Sequence, residues 1–208
     1  MRAHAYIDGF NLYHGALESR HHCKWLDPRA LCERLVPDAD LRLVRFFSAR
    51  VGGSLDPGQP QRQDVYWRAL RGLDRLVIHE GKFQTKTRRL PLAGTDPPEL
   101  AAVRVPEEKG SDVNLATYLM LDAAADELDL ALVISDDHDL EEPLRLVRSH
   151  YELKLVIASP RNRESLRRAV GADELKTIRE ELLEACQLPD PTPDEDFHLL
   201  RRPPSWKA

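Results

Sequence analysis

The chain has 208 residues, of which 42% are hydrophobic and 31% charged, with a formal net charge of −5; that suits one large domain with a real core. Its three cysteines (Cys23, Cys32, Cys186) are odd in number and lack CxxC spacing, which argues against a disulfide scaffold and fits a reducing, cytoplasmic setting. The apolar run Leu130–Ile134 is far below a membrane span, and Met1–Ile7 meets Asp8 too soon to serve as a signal peptide. His21, His22 and Cys23 adjoin, but without a second ligand cluster they do not make zinc spacing.

Charge is segregated along the chain. Residues 62–89 carry eight Lys/Arg against three acids, while residues 107–142 carry twelve acids against Lys109 alone. Such blocks usually mark differently solvated faces. They also suit a metal-charged acidic centre beside a cationic track for an anionic polymer.

In chain order, Ala3–Ile7 reads as a short strand ending at Asp8-Gly9, and Phe10–Ser19 as helix. Asp27-Pro28 is an N-cap followed by proline at the first helical position. Leu41–Ala49 reads as strand and residues 51–60, with three glycines and two prolines, as loop. Gln61–Leu73 has helical spacing of Val65, Ala69, Leu70 and Leu73, and Leu76–His79 is the next strand. Residues 81–106 read as irregular and basic, with four prolines and no sustained period. A helix over Ser111–Leu128, a buried strand over Leu130–Ser135, a helix over Leu140–His150 and a strand over Lys154–Ala158 follow. Leu175, Ile178, Leu182, Leu183 and Cys186 predict a closing amphipathic helix, so that residues 1–187 form the domain and the proline-rich residues 188–208 a tail. The alternation predicts an α/β fold of three layers, α/β/α, with a central, mainly parallel sheet. Ligands of such sheets bind outside the carboxyl ends of the strands.

Three segments put aspartates just past a strand or at a helix start: Tyr6-Ile7-Asp8-Gly9-Phe10-Asn11, Lys109-Gly110-Ser111-Asp112-Val113-Asn114 and Ile134-Ser135-Asp136-Asp137-His138-Asp139. Singly, each has an ordinary reading. Asp8-Gly9 is a turn dipeptide, Asp112 favours the positive end of a helix, and Asp139 with Glu142 resembles a capping box. Jointly they are costly, because two carboxylates about 4 Å apart repel by about 4 kcal/mol at an effective dielectric near 20. A cation removes that cost, and Mg²⁺ or Mn²⁺ prefers all-oxygen ligands and phosphate chemistry.

At these residues the sequence resembles a known family. DGFNLYH, KGSDVNLATYL and SDDHDLEEPL, in that order, resemble the three signatures of NYN domains, relatives of the PIN-domain nucleases; Arg62–Leu70 and Ile78–Phe83 add to the likeness. The resemblance spans roughly Ala3–Ala158 and implies a PIN-like fold and a metal-dependent nuclease, with RNA the expected substrate. It implies Asp8, Asp112, Asp137 and Asp139 as the metal-binding and catalytic set, with Asn11, Ser135 and Lys109 contacting the same pocket or its substrate. Related chains often carry Gly or Asn where Asp136 stands, a further acid where Tyr118 stands, and serine where His138 stands. Lys82, Lys86, Arg88 and Arg89, near Phe83 and Tyr66, are the candidate substrate track. A homo-oligomer is left open. Two other readings remain: an RNA-binding module with weak hydrolysis, and a haloacid-dehalogenase-like phosphatase. The latter needs a second aspartate two residues after the first, where Phe10 stands.

Overall fold

The computed structural model describes residues 1–53 and 56–207; part of the loop expected over residues 51–60 lies outside them. Arg2–Asp8 forms β1, which is buried on both faces from Ala3 onward. It lies at the centre of a seven-stranded sheet of order β4-β3-β2-β1-β5-β6-β7. The other strands are β2 (Asp40–Ala49), β3 (Leu76–Pro91), β4 (Leu100–Lys109), β5 (Leu130–Ile134), β6 (Lys154–Ser159) and β7 (Glu174–Thr177). All pairings in this sheet are parallel except β3 with β4.

Helices α1 (Gly9–Leu12), α2 (Pro28–Leu35), α3 (Gln59–Arg71), α4 (Ser111–Ala124), α5 (Glu141–His150), α6 (Ser165–Val170) and α7 (Glu180–Glu184) cover both faces. One core gathers Ala5, Ile7, Val44 and Ile134 with Leu12, Leu31, Leu70 and Leu183. The other gathers Tyr6, Phe47 and Val133 with Leu115, Leu119, Leu144 and Leu166. Alternate residues of each strand therefore serve opposite layers, the period-2 rule of a pleated strand. The expected mainly parallel α/β/α architecture is what the chain adopts.

A buried ion-pair network fixes α4 to the sheet. Asp122 Oδ2 accepts from Tyr6 Oη at 2.7 Å and Arg45 Nε at 2.8 Å, and lies 3.1 Å from His4 Nδ1. Its Oδ1 accepts from Arg45 Nη2 at 2.6 Å. Burial alone would raise this carboxyl, but the bonds from His4, Arg45 and Tyr6 hold it well below the usual carboxylate range. Beside it, burial and the Arg45 charge push His79 down to about 4, so the ring is neutral at pH 7. That ring stacks on Phe47 at 4.7 Å and meets Tyr118 at 4.1 Å.

Three elements differ from the sequence reading. Residues 81–106 are not irregular: ten residues of β3, Lys82–Pro91, continue past β2 and pair antiparallel with β4. By strand rise this hairpin reaches roughly 30 Å beyond the edge. It carries no apolar alternation because Gln84–Pro91 is exposed on both faces; the backbone ladder alone defines it. The expected closing helix is strand β7 followed by α7. Leu175 packs into one core while Ile178, Leu183 and Cys186 enter the other, and a single helix cannot serve both sides of a sheet. Finally, the proline-rich segment expected as a tail lies against the body. Leu188 N–H donates to Trp25 O at 2.8 Å, and Trp25 Nε1 donates to Pro189 O at 3.0 Å. A short ribbon, β8 (Thr192–Pro193) with β9 (Leu199–Leu200), follows, and Trp206 packs on Trp25 and Tyr66. Proline removes backbone donors without preventing side-chain burial.

The Asp122 network yields a prediction. Asp122→Asn leaves the Arg45 guanidinium buried without its charge partner, so urea unfolding should show a loss of about 3–5 kcal/mol. Because the folded pKa is depressed, the wild-type contribution is present at neutral pH and fades as pH falls below the usual carboxylate range. The variant should lose that part of the acid dependence.

Candidate functional site

The strand order reverses between β1 and β5, two neighbours that are not consecutive in the chain. A crevice therefore opens at their carboxyl ends. Asp8 ends β1 and caps α1, its Oδ1 accepting from Asn11 N–H at 2.9 Å. Glycine must follow: a Cβ on Gly9 would lie 2.8 Å from the Phe47 carbonyl oxygen and 2.9 Å from the Phe46 ring. The helix then widens into a π-turn over Tyr13–Leu17.

Past β5, the buried Ser135 hydroxyl donates to Asp8 Oδ2 at 3.0 Å and accepts from Asp137 N–H at 3.1 Å. Asn11 Oδ1 accepts from Asp136 N–H at 3.0 Å and from Arg161 Nη1 at 3.2 Å. The first loop is thereby tied to the third. Asp136 itself turns away, accepting from the Ser159 hydroxyl and, at 2.8 Å, from Arg161 N–H. It braces the end of β6.

Asp112 arrives by another route. The returning β4 brings Lys109 opposite Lys82, so α4 begins beside Gly81 at the same edge as Asp8. A Cβ on Gly81 would stand 2.5 Å from Glu108 Oε1 and 2.9 Å from the Lys109 carbonyl oxygen; only glycine permits this approach. Glu108 Oε1 accepts from Ser111 N–H at 3.1 Å and from its hydroxyl at 2.8 Å. It caps the helix that carries Asp112.

One carboxylate oxygen from each of Asp8, Asp112 and Asp137 lies within 4.8 Å of the others. They line a hollow with Phe10, Asn11, His14, Glu108 and Arg161. Burial, and then the charges of Asp8, Asp137, Glu108 and Asp139, push Asp112 up to about 7. Asp8 is likewise raised by burial, against the lowering bonds of Asn11 and Ser135. Among the described residues the converging group consists of three carboxylates, an all-oxygen set that fits a hard divalent cation. Asp8, Asp112 and Asp137 are the residues that could hold it.

Asp139, expected with these three, is exposed on the next turn and outside the 4.8 Å group; its N–H donates to Asp137 Oδ1 at 3.0 Å. Glu108 is a neighbour that sequence reading did not single out. Its signal, a carboxylate directly opposite Phe83 and next to Lys109-Gly110, is visible only once β3 and β4 are paired. His138 is an exposed turn residue, 3.1 Å from the Ser165 hydroxyl. Tyr118 does not line the acidic hollow; it lies under the Arg45 guanidinium at 4.6 Å.

The hairpin sorts the candidate cations by face. Lys86, Arg88 and Lys109 all pair with Glu107, the last at 3.3 Å. By the alternation of side chains and the observed register, Lys82 shares that face. Phe83 and Glu108 occupy the other, along with Arg89 and Arg104. Phe83 also meets Phe10 at 6.0 Å.

A protein of Pseudomonas putida named 6-hydroxy-3-succinoylpyridine 3-monooxygenase HspA is 28% identical over 241 aligned positions, covering 99% of this chain and 75% of that one. The crystal structure of VPA0982, a protein of unknown function from Vibrio parahaemolyticus, superposes with a TM-score of 0.53 at 16% identity, over 86% of this chain and 94% of that one; it bears on the fold alone. The NYN domain pattern matches residues 2–173. With that match covering most of its length, the chain belongs to the NYN domain family.

Proposed function

We propose that the protein is a divalent-metal-dependent ribonuclease, hydrolysing phosphodiester bonds at Asp8, Asp112 and Asp137. The observation that carries this reading is the convergence of three carboxylates on one point at the sheet's switch crevice. Bound Mg²⁺ or Mn²⁺ supplies charge neutralisation at a phosphate and acidifies water. The chain's own groups do the positioning. Ser135 and the Asn11 amide fix the two Asp8 oxygens, Asp137 is held through Ser135, and the Glu108 cap sets the start of α4. Asp139, one turn away, adds negative charge to the centre. Lys82, Lys86, Arg88 and Lys109 on one face of the hairpin supply phosphate contacts, while Arg89 shares the other face with Phe83, which with Phe10 offers a ring to unstacked bases.

Two alternatives have an observation behind them. The position of Asp139 outside the three-carboxylate group favours an RNA-binding member with weak hydrolysis. The 28% identity to the Pseudomonas monooxygenase favours hydroxylation of a succinoylpyridine. Assaying single-stranded RNA with Mg²⁺, Mn²⁺ or chelator, beside 6-hydroxy-3-succinoylpyridine turnover, separates all three.

Under the nuclease reading, Asp112→Asn and Asp137→Asn each cut RNA hydrolysis at least 100-fold, the scale on which a lost electrostatic stabiliser acts, while the proteins stay folded by circular dichroism. Near-wild-type cleavage by either pure variant would remove the metal-site argument.

The metal-free protein should show the strain of the site. Asp112 binds its proton more tightly folded than unfolded, with a pKa raised from 3.8 to about 7. Stability in chelator therefore falls as pH rises across that window and levels off above it. Asp112→Asn should flatten this decline and raise the melting temperature at pH 8. Mn²⁺ should then stabilise the wild type more than the variant; equal shifts would mean that Asp112 is no ligand.

Replacing Lys82, Lys86, Arg88 and Arg89 by alanine should weaken RNA binding and flatten its log–log salt dependence by roughly 0.7 for each phosphate no longer neutralised. Turnover at saturating RNA should hardly change. An unchanged slope would put the track elsewhere.

A further inference from the structure

A second, larger cavity of about 460 Å³ lies beside the acidic hollow, and Phe10 and His14 line both. Its other walls include Tyr13, Tyr66, Trp67 and Trp206, so rings surround a space within the size range of small-molecule sites. Trp206 and Ser205 come from the C-terminal segment, beyond residues 2–173 that match the family pattern. That segment is fastened to the body by Trp206, which packs on Trp25 and Tyr66, and by Arg202 Nη1, which donates to His22 O at 3.4 Å. One wall of the cavity thus comes from a segment outside the family pattern.

Lys24 also lines the cavity, and only 7% of it is exposed. Its Nζ lies 3.3 Å from the Tyr13 hydroxyl and 5.2 Å from the centre of that ring. Among the described residues no carboxylate comes within ion-pair distance of it, whereas Arg62, which lines the same cavity, pairs with Asp56. Buried charges are normally paired, because leaving water costs several kcal/mol per ion. A buried ammonium facing only a phenol is a half-filled pair.

We propose that this cavity binds a planar aromatic ring carrying an anionic group, with the ring against the aromatic walls and the anion at Lys24. The shared wall of Phe10 and His14 sets such a ring next to the three carboxylates. Two sources offer this chemistry: a nucleotide unit of RNA, or a free aromatic acid. The inference does not rest on the nuclease reading, since binding is measured without metal or cleavage.

The test is calorimetric titration of the full chain in chelator with uridine 5′-monophosphate and, separately, pyridine-3-carboxylate. Uridine supplies the ring without the anion, and inorganic phosphate the anion without the ring. The expected result is saturable one-site binding of at least one joined ligand, at least ten-fold tighter than either half. Lys24→Met and Trp206→Ala should each weaken it at least ten-fold, with thermal melts confirming that both fold; if Trp206→Ala does not, Lys24→Met decides. The ligand that binds names the source. No binding by either joined ligand, equal binding of a half, or undiminished affinity in Lys24→Met would overturn the proposal. Loss of RNA cleavage in Asp112→Asn with this binding intact would show that the two sites stand separately.

Discussion

Mutual repulsion among carboxylates is the constraint around which the edge of this sheet is built. Oxygens of Asp8, Asp112 and Asp137 lie within 4.8 Å of one another, and each such pair repels by about 4 kcal/mol at 4 Å and an effective dielectric near 20. Attraction within the cluster cannot hold it. The burden falls on neutral donors and on rigid backbone. The Asn11 amide and the Ser135 hydroxyl bond Asp8, and Asp112 sits in the first turn of α4, where the helix dipole favours an anion. At the other end of that helix, Asp122 is clamped by Arg45, Tyr6 and His4 on the neighbouring strands. One aspartate is made comfortable in the core so that another, ten residues earlier, can be held in an uncomfortable place.

The two acidic environments also differ in kind. Around Asp122 every oxygen has a donor, and its carboxyl is held low; it is a structural anion. Around Asp112 burial and like charge combine to push the carboxyl up to about 7. A group poised in this way gains from a cation, a proton or a donor brought by a substrate. This contrast, rather than the number of acids, separates the candidate centre from the rest of an acidic chain.

The neighbourhood of that centre has two compartments. One is an acidic hollow to which the β3–β4 hairpin contributes Glu108. The other is the ring-walled cavity that shares Phe10 and His14 with it. The C-terminal segment gives the second compartment its outer wall, so a stretch rich in proline shapes the surroundings of the site as well as covering Trp25.

Much of this was legible in the sequence, for identifiable reasons. β1 and β5 are short apolar runs that end in Asp8 and Ser135-Asp136-Asp137, and buried parallel strands leave that pattern because both of their faces are covered. The motifs therefore singled out Asp8, Asp112 and Asp137, which the fold brings within 4.8 Å of one another, and pointed to the family. What the sequence could not carry were features decided by partners distant along the chain. The outer part of the hairpin is written in backbone hydrogen bonds, and Gln84–Pro91 is exposed throughout, so it has no hydrophobic period. Glu108 joins the centre, and Lys86, Arg88 and Lys109 gather on Glu107, only because that ladder fixes which residues share a face. Asp136, Asp137 and Asp139 look equivalent in the linear motif. Tertiary hydrogen bonds send Asp136 to the end of β6, bring Asp137 to the centre, and leave Asp139 on the exposed turn. Local pattern determined the elements and the chemistry of their ends; long-range pairing decided which of those ends face one another.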